Sequence, residues 1–540
     1  MSYEVSLISA SNSSQATEHL GTAYLASFLR SKGVLASLHH LDAFLPKEQL
    51  ITELPRDSKL YGFSLCITNY KKVYQLSAEL KKINPDCLIF LGGHLATPAA
   101  KEILLDCQDI DFVVLGDGEV PIYEVIKAVR SNQDIEELPA IATRRTKGKK
   151  LPSVVTNIKE MPWPARDYLE DSIKNGALTA RMLAARGCCA NCSFCSYNMF
   201  SKENHTKTWV GRDVEDVFAE MVHIYETYGL RSFSFNDGSL EDPGRLGKQR
   251  LEQLCKLLLD YPIRFHLRCF ARAETFTEED IPLIKLMREA GITHVYIGIE
   301  SAHENDLALY QKRATLADNS RCLRLFTDHD IDVSIGFIMF NPLSTYQTLR
   351  SNYNYLKDHN AFCISYYTNQ IQVYCGTPLE TAIRKLGLLD QDYSYKKPLG
   401  YRFENSYIQE ICDFLNHEIN LEPLYQKENE FSEFLHFYNS MRAMFPDELK
   451  QTQIRVEEIK SKFTKVLAEY FQHLLWDVNL TKAKAEFPAF ENKYTEIYDE
   501  FKKEYLTLII KKNIRKFLMT STDNFQIKSG APKANYNTLI

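Results

Sequence analysis

The chain has 540 residues, 64 basic against 70 acidic side chains for a formal charge of -6, and 45% hydrophobic and 25% charged content. That length exceeds one hydrophobic core and predicts about three domains, while the weak acidic balance argues against a nucleic-acid polyanion as partner. No apolar run reaches the ~18 residues of a membrane span, the amino terminus lacks a signal-peptide layout, and the 13 scattered cysteines do not form a disulfide framework, so the expectation is a cytoplasmic protein in a reducing setting.

Residues 1–145 alternate strand patterns (3–10, 60–67, 87–91, 112–115) with helical ones (21–32, 70–84, 120–129). The alternation predicts an α/β, Rossmann-like domain: a parallel sheet with helices on both faces. Ligands in such sheets bind beyond the carboxyl ends of the strands. Small and polar residues gather there: Ser11-Asn-Ser-Ser14, Thr68-Asn69, Gly92-Gly93-His94 and Gly116-Asp117-Gly118-Glu119. Glycines at such turns let the backbone approach a large flat ligand closely. Residues 146–177 read as a linker, with a solvated charge run Lys147-Gly-Lys-Lys150 and a proline-extended Met161-Pro-Trp-Pro164.

The βα rhythm returns over 178–386 with strands at 179–185, 232–236, 265–269, 294–298, 332–340 and 366–373, and helices at 214–228, 246–260, 278–290, 316–328 and 345–358. In βα barrels the chemistry sits at the carboxyl ends of the strands. Directly after the first strand comes Arg186-Gly-Cys188-Cys189-Ala-Asn-Cys192-Ser-Phe194-Cys195. Iron–sulfur clusters normally take four thiolates, and an open coordination position marks a catalytic metal site; Cys188, Cys192 and Cys195 can hold a cluster and leave one iron open. A zinc ribbon needs a second pair about 15–20 residues on, but the next cysteine is Cys255. A ferredoxin run begun at Cys189 would end in Cys-Pro, where Met199-Phe200 stands. Cys189 is read as a bystander. The bland alternative is buried thiols acting as small hydrophobes, which four cysteines in eight residues on an Arg-Gly loop disfavour.

The spacing Cys-x3-Cys-x2-Cys, with Phe194 before the last cysteine, resembles the signature of the radical S-adenosylmethionine (SAM) superfamily. The resemblance implies a partial (β/α)6 barrel, a 4Fe-4S cluster and SAM. It sets the backbone near Phe194 against the adenine, and gives Asp237, ending Phe233-Ser-Phe-Asn-Asp237, to the SAM ammonium or a substrate; capping of the next turn is the alternative. Arg268 is assigned to the SAM carboxylate, which a planar fork of donors suits, or else to a salt bridge inside the barrel. Gly298-Ile-Glu300-Ser301 resembles the family's Gly-x-Glu-Ser element, with Glu300 and Ser301 on the methionine or ribose; helix capping by Ser301 is the alternative. Gly336-Phe-Ile-Met-Phe-Asn-Pro342 resembles the segment beside the adenine, with Asn341 departing from it. In Tyr374-Cys-Gly-Thr-Pro378, Cys375 stands where the family's Pro-Gly-Thr-Pro has proline. It is a hydrogen donor to a substrate radical or, by preference, a packing residue.

Leu91-Gly-Gly-His-Leu-Ala-Thr97 and Val114-Leu-Gly-Asp-Gly-Glu119, with Gly21-Thr22 opening the first helix, resemble the cobalamin-binding domain that precedes the barrel in many radical SAM proteins. The resemblance implies Gly21, Thr22, Thr68, Gly92, Gly93, His94, Gly116, Gly118 and Glu119 around cobalamin. No Asp-x-His-x-x-Gly occurs, so no histidine is placed to ligate cobalt from below, and an empty scaffold is the alternative.

The reading that follows is a cobalamin-dependent methyltransferase acting, through a deoxyadenosyl radical, on an unactivated carbon of a natural-product or peptide substrate. An electron donor such as a flavodoxin or ferredoxin serves it, with no nucleic-acid or membrane partner. Its rivals are a cobalamin-independent radical SAM enzyme, such as a peptide epimerase or cyclase, and a non-catalytic ligand sensor. A methylthiotransferase is disfavoured because no basic RNA-binding module is visible. Residues 387–540 read as a helical region shaping the substrate pocket, with apolar residues near 3.6-residue spacing at 407–417, 454–474 and 494–512, and the polar tail 520–540 is expected to be disordered.

Overall fold

The computed structural model describes residues 3–11, 18–42, 45–146, 156–175, 177, 179–197, 209–444, 449–477 and 479–511. Asn12, Ser13 and Ser14 of the first expected turn, the basic run 147–150 and the tail 520–540 lie outside them. Contacts gather the chain into two units, one of Met1–Glu220, Ser234–Gly247 and Gln372–Gly400, the other of Met221–Phe233, Lys248–Ile371 and Tyr401–Ile540.

The first unit holds β1 (Val5–Ser11), β2 (Ala36–Asp42), β3 (Leu60–Ser64), β4 (Leu88–Gly92), β5 (Phe112–Val114) and β6 (Ile141–Thr143) in the order β2-β1-β3-β4-β5-β6. The first five are parallel and β6 is antiparallel to β5. Successive side chains alternate faces, so Ile8, Tyr61 and Ile89 build one core while Leu7, Leu60 and Phe90 build the other. Helices Leu20–Ser31 and Glu119–Arg130 supply Leu29 and Ile122 to one; Tyr70–Ile83 and Ala100–Asp106 supply Leu76 and Ile103 to the other. Gly62 lies inside β3 because an added Cβ would stand 2.1 Å from Phe90 Cζ. β2 and β6 were not expected. β2 carries Ser37, His39 and His40 at an edge of the sheet, so no apolar alternation announces it.

The same unit contains β7 (Thr179–Met182) and an antiparallel pair, β8 (Ala185–Gly187) with β9 (Trp209–Gly211). The single strand expected over 179–185 is therefore broken before the cysteine loop. The expected linker belongs to this unit too: Arg166 bonds Glu18 and Glu220, each at 2.7 Å. Compactness thus divides the chain differently from the four consecutive segments read in the sequence.

The division falls inside β10 (Ser232–Phe235). The second unit continues with parallel strands β11 (His266–Ala271), β12 (Ile292–Glu300) and β13 (Asp332–Phe337). Val295, Ile297 and Ile299 are fully buried on one face of β12, against which helix Ile281–Glu289 packs with Ile284 and Met287 buried, while helix Leu316–Thr327, with Phe326 buried, packs on β13. The sixth strand expected over 366–373 is reduced to one parallel bridge, Phe340–Gln370, after a short helix Ile364–Thr368. Its Tyr-Tyr-Thr run has strand composition, but the Glu428 carboxylate accepts from the Ile364 and Ser365 N–H groups, satisfying the orphan donors of a helix start. Helices Glu422–Met444, Lys450–Phe471 and Leu480–Lys511 close on an aromatic core, with Phe431 centred 5.2 Å from Phe463 and 4.7 Å from Phe501. Among the described residues no helix is long and apolar enough to cross a membrane.

Candidate functional site

The first unit contains a cavity of about 570 Å³ beyond the carboxyl ends of β3, β4 and β5. Gly21, Thr22, Gly92, Gly93, His94, Gly116, Gly118 and Glu119 all line it, as read from the sequence. Thr68 is not among the lining residues; its hydroxyl lies 3.2 Å from the thiol of Cys66, which is. The opposite wall comes from the segment around the cysteine loop: Arg181, Arg186, Gly187, Ser196 and Tyr197, with Tyr374 and Cys375 beside them.

The turns are shaped for close approach. Gly93 has φ +106°, and a Cβ there would stand 3.3 Å from Leu65 O. His19 caps the first helix: its Nδ1 accepts from the Thr22 N–H at 3.2 Å, which leaves Nε2 to donate to Ser64 Oγ at 3.0 Å. Burial pushes its pKa down to about 4, so the ring is neutral and engaged at both nitrogens. His94 stacks on Tyr197 with ring centroids 5.8 Å apart. Burial raises the Tyr197 phenol, with Asp237 and Cys188 adding to the rise.

Arg186 joins the two walls. Its Nη2 donates to Glu119 Oε1 at 2.6 Å, Nη1 stands 3.4 Å from Asp117 Oδ2, and the guanidinium lies over the Tyr24 ring at 5.2 Å. Burial opposes its charge, but Glu119 and Asp117 outweigh burial and hold it protonated. Asp117 is raised, first by burial, with Arg186 pulling down and Glu119 pushing up. Behind this wall a second buried group of ions ties the segment down. Arg212 and Glu220 are each 2% exposed, and Glu220 joins Arg212 to Arg166.

The cysteine loop keeps its shape through backbone contacts. The Ala190 N–H points at Cys188 Sγ and the Tyr197 N–H at Cys195 Sγ, each at 3.4 Å, and Cys189 N–H donates to Asp242 Oδ2 at 2.9 Å. Gly238 makes room, since a Cβ there would stand 2.9 Å from Cys188 Cβ. Among the described residues no three His, Cys, Asp or Glu side chains are grouped tightly enough to grip one metal ion. A cluster asks for something else: thiolates spread around it, one to each iron, and amide N–H groups aimed at sulfur favour the thiolate form. Three thiols on one loop, two of them with an N–H aimed at sulfur, are a donor set of the kind that a cluster takes.

The expected SAM residues divide between the units. In the first, Phe194 is half-buried on the loop, and Asp237 has both oxygens on the Ala184 N–H, at 3.0 and 3.1 Å. That carboxyl positions the backbone entering the cysteine loop, a role that neither sequence alternative contained. In the second, Arg268 pairs in register with His294 and is half-buried. Glu300 takes the left-handed backbone, φ +65°, costly for a residue with a Cβ, and lies 3.6 Å from Lys312. Gly298 leaves room beside it for the carboxylate, since a Cβ there would stand 2.5 Å from Glu300 Oε1 and displace that side chain's end. The Ser301 hydroxyl lies 2.8 Å from Asp306 and 2.9 Å from Asn352 and accepts from the His303 N–H. The cap of the next helix is His303, not Ser301. Cys375 lines the cavity with its sulfur 3.8 Å from Pro98 O, and burial pushes its pKa up to about 12, so it stays a thiol.

Sequence reasoning did not pick out His19, Arg181, Arg186 or Tyr197 as cavity residues. Arg186 carried the one usable signal, its place in Arg-Gly-Cys.

Two family models match the chain: the B12 binding domain over residues 8–126 and the radical SAM superfamily over residues 182–356. It is 24% identical over 344 residues to an uncharacterized methyltransferase, PH0819, of Pyrococcus horikoshii, covering 63% of this chain and 72% of that protein. It is 25% identical over 277 residues to the anaerobic magnesium-protoporphyrin IX monomethyl ester cyclase of Synechocystis, 50% of this chain and 54% of that one; the chain thus spans about half the cyclase's length. Among solved structures, the cobalamin-dependent S-adenosylmethionine radical enzyme OxsB with aqua-cobalamin bound superposes with a TM-score of 0.66 at 18% identity, over 92% of this chain and 84% of that one. The radical S-adenosylmethionine methyltransferase TsrM of Kitasatospora setae gives 0.58 at 17%, over 72% and 75%. At these identities the two structures show the fold.

Proposed function

This chain belongs to the radical SAM superfamily, in the branch with an amino-terminal B12-binding domain, and we propose on that premise that it is a cobalamin-dependent methyltransferase acting on an unactivated carbon of a small natural-product or peptide substrate. One observation carries the reading: a single cavity has the glycine turns of the B12-binding sheet on one wall and the segment bearing the cysteine loop on the other. Relatives named as methyltransferases support it.

Cys188, Cys192 and Cys195 hold the cluster, and Gly92, Gly93, Gly116 and Gly118 the corrin. Bound there, cluster and SAM supply one-electron chemistry and cobalamin a methyl carrier; the protein supplies position and excludes water. A small-molecule substrate and a reductant are required, the latter a flavodoxin or ferredoxin. His19 presents an N–H to Ser64 rather than a lone pair to the cavity, so His19 is not available as a cobalt ligand. Asp237 and Gly238 fix the cysteine loop from behind. Glu300 and Lys312, a buried opposite-charge pair, suit the zwitterionic methionine end of SAM.

The test is anaerobic turnover of the full chain with reductant, hydroxocobalamin and SAM labelled at its methyl group. Deoxyadenosine together with labelled product is the expected result. Deoxyadenosine with an unmethylated, cyclised or epimerised product would assign the chain to the rival chemistry, and no deoxyadenosine would overturn the radical reading.

A further inference from the structure

Two large apolar side chains inside strands are exposed among the described residues, Phe270 of β11 and Tyr296 of β12, each at 37%. They are partners in the strand register, and their ring centroids stand 5.1 Å apart at a tilt of 53°. A single exposed apolar side chain needs no explanation. Two rings held side by side by the ladder of one sheet form a preset aromatic shelf.

Side chains alternate along a strand. Val295, Ile297 and Ile299 fill the helix-covered face of β12, so His294, Tyr296, Gly298 and Glu300 share the other. On that face His294 is buried on the amino side of Tyr296, and the Glu300 carboxylate lies on its carboxyl side. A Cβ on Gly336, the register partner of Gly298, would stand 3.1 Å from Tyr296 Oη and 3.3 Å from Glu300 Oε2. The shelf therefore abuts the Glu300–Lys312 pair.

Size selects the occupant. An aromatic side chain presents about 150–250 Å², so two rings at 37% leave roughly 150 Å² uncovered. A stable protein partner needs about 800 Å² on each side, far more than this patch, whose extent matches one face of a flat ring system. Burial, with Glu300 and Cys363 adding, pushes the Tyr296 phenol up to about 12, so the shelf is uncharged. Aromatic side chains gain from offset or edge-on contact with a second ring beyond what the buried area alone supplies.

Resting on the methyltransferase reading above, we propose that Phe270 and Tyr296 are specificity-determining residues of the substrate site, together receiving a planar aromatic or heteroaromatic ring of a small substrate. The substrate class narrows to ring-bearing molecules. The ring is the handle by which the reacting carbon is positioned, next to the Glu300–Lys312 pair that suits the methionine end of SAM. The SAM adenine is assigned elsewhere, to the backbone near Phe194.

The experiment is equilibrium dialysis of 2-quinolone, a planar bicyclic lactam, against the full chain with its cluster reconstituted and SAM present. Its octahydro counterpart, which keeps the lactam and loses the flat ring, is dialysed in parallel. Wild type is expected to hold 2-quinolone at least about tenfold more tightly than the saturated lactam. Phe270→Leu with Tyr296→Leu is expected to erase that preference, while Tyr296→Phe, which keeps the ring, leaves it within about twofold. Melting temperature, iron content and the Kd of SAM are expected to hold in both variants. If the double variant does not fold, Phe270→Leu alone is read in the same way, the preference falling about threefold. No binding of 2-quinolone by wild type, equal affinity for the two lactams, or a preference that survives the leucine substitutions overturns the inference. So does a loss of SAM affinity in the leucine variant, which would give the shelf to the adenine. Deoxyadenosine is measured on the same preparations after reductant is added. Its absence from wild type that still prefers the flat ring overturns the radical reading, whereas deoxyadenosine without that preference overturns the ring subsite alone.

Discussion

Replacing Asp237 by asparagine alters how stability depends on pH, and the environment of the carboxyl sets the sign. The side chain is 3% exposed, and burial pushes its pKa up to about 7 against the pull of the Ala184 and Ala185 N–H groups and Arg212. An unfolded aspartate titrates near 3.9. Between those two values the folded chain keeps a proton that the unfolded chain has released. The stabilisation is thus complete below about pH 3.9 and is lost as pH rises through about 7, at about 1.4 kcal/mol per pH unit on the slope. From about pH 5 to about pH 8 the loss sums to about 2.5 kcal/mol. Asparagine binds no proton, yet its amide oxygen still accepts from the Ala184 N–H. The stability of Asp237→Asn minus that of wild type is therefore expected to climb by about 2.5 kcal/mol across this range, nearly all of it by about pH 7.5. Anaerobic urea unfolding followed by far-ultraviolet circular dichroism measures the difference, in which all other titrating groups cancel. A difference that stays level, or that narrows with rising pH, would refute the assignment of a raised pKa to this carboxyl.

Alanine at Cys188, Cys192 or Cys195 is expected to abolish cluster reconstitution, while Cys189→Ala, whose backbone N–H rather than thiol is bonded to Asp242, keeps it; iron and sulfide per chain decide. Glu220→Gln removes the carboxylate shared by two buried guanidinium groups, Arg166 and Arg212, which keep Glu18 and Asp216, and is expected to cost about 1–3 kcal/mol, read as a lowered urea midpoint. Gly62→Ala places a Cβ 2.1 Å from the Phe90 ring, which lines the cavity. Overpacking costs about 1–3 kcal/mol, and hydroxocobalamin retention is expected to fall while iron content holds.

The cavity turns were legible because each needs a residue type that sequence displays. Glycine at 93 and 116 answers a positive φ, and the βα rhythm places those turns at strand ends. Asp237 was found and its task was not: which backbone N–H groups a carboxylate reaches depends on where Ala184 lies, 53 residues away. Arg186 is read as part of a loop motif until Glu119 is seen opposite it. Tyr366–Val373 misled because its aromatic and β-branched residues favour a strand, and Glu428, 64 residues beyond Ile364, favours a helix start instead. β2 escaped because an edge strand need not alternate.

The ion pairs within the first unit bear on whether either part of the chain can stand without the other. A gene fragment starting at residue 178 would encode Arg186 but not Asp117 or Glu119. It would thereby keep a guanidinium group whose counter-charges lie on the missing piece. The reverse fragment, 1–145, would keep Asp117 and Glu119 with no cation between them. Neither half is a transplantable module as it stands. Moving either one alone would call for a compensating charge change at Arg186 or at Asp117 and Glu119.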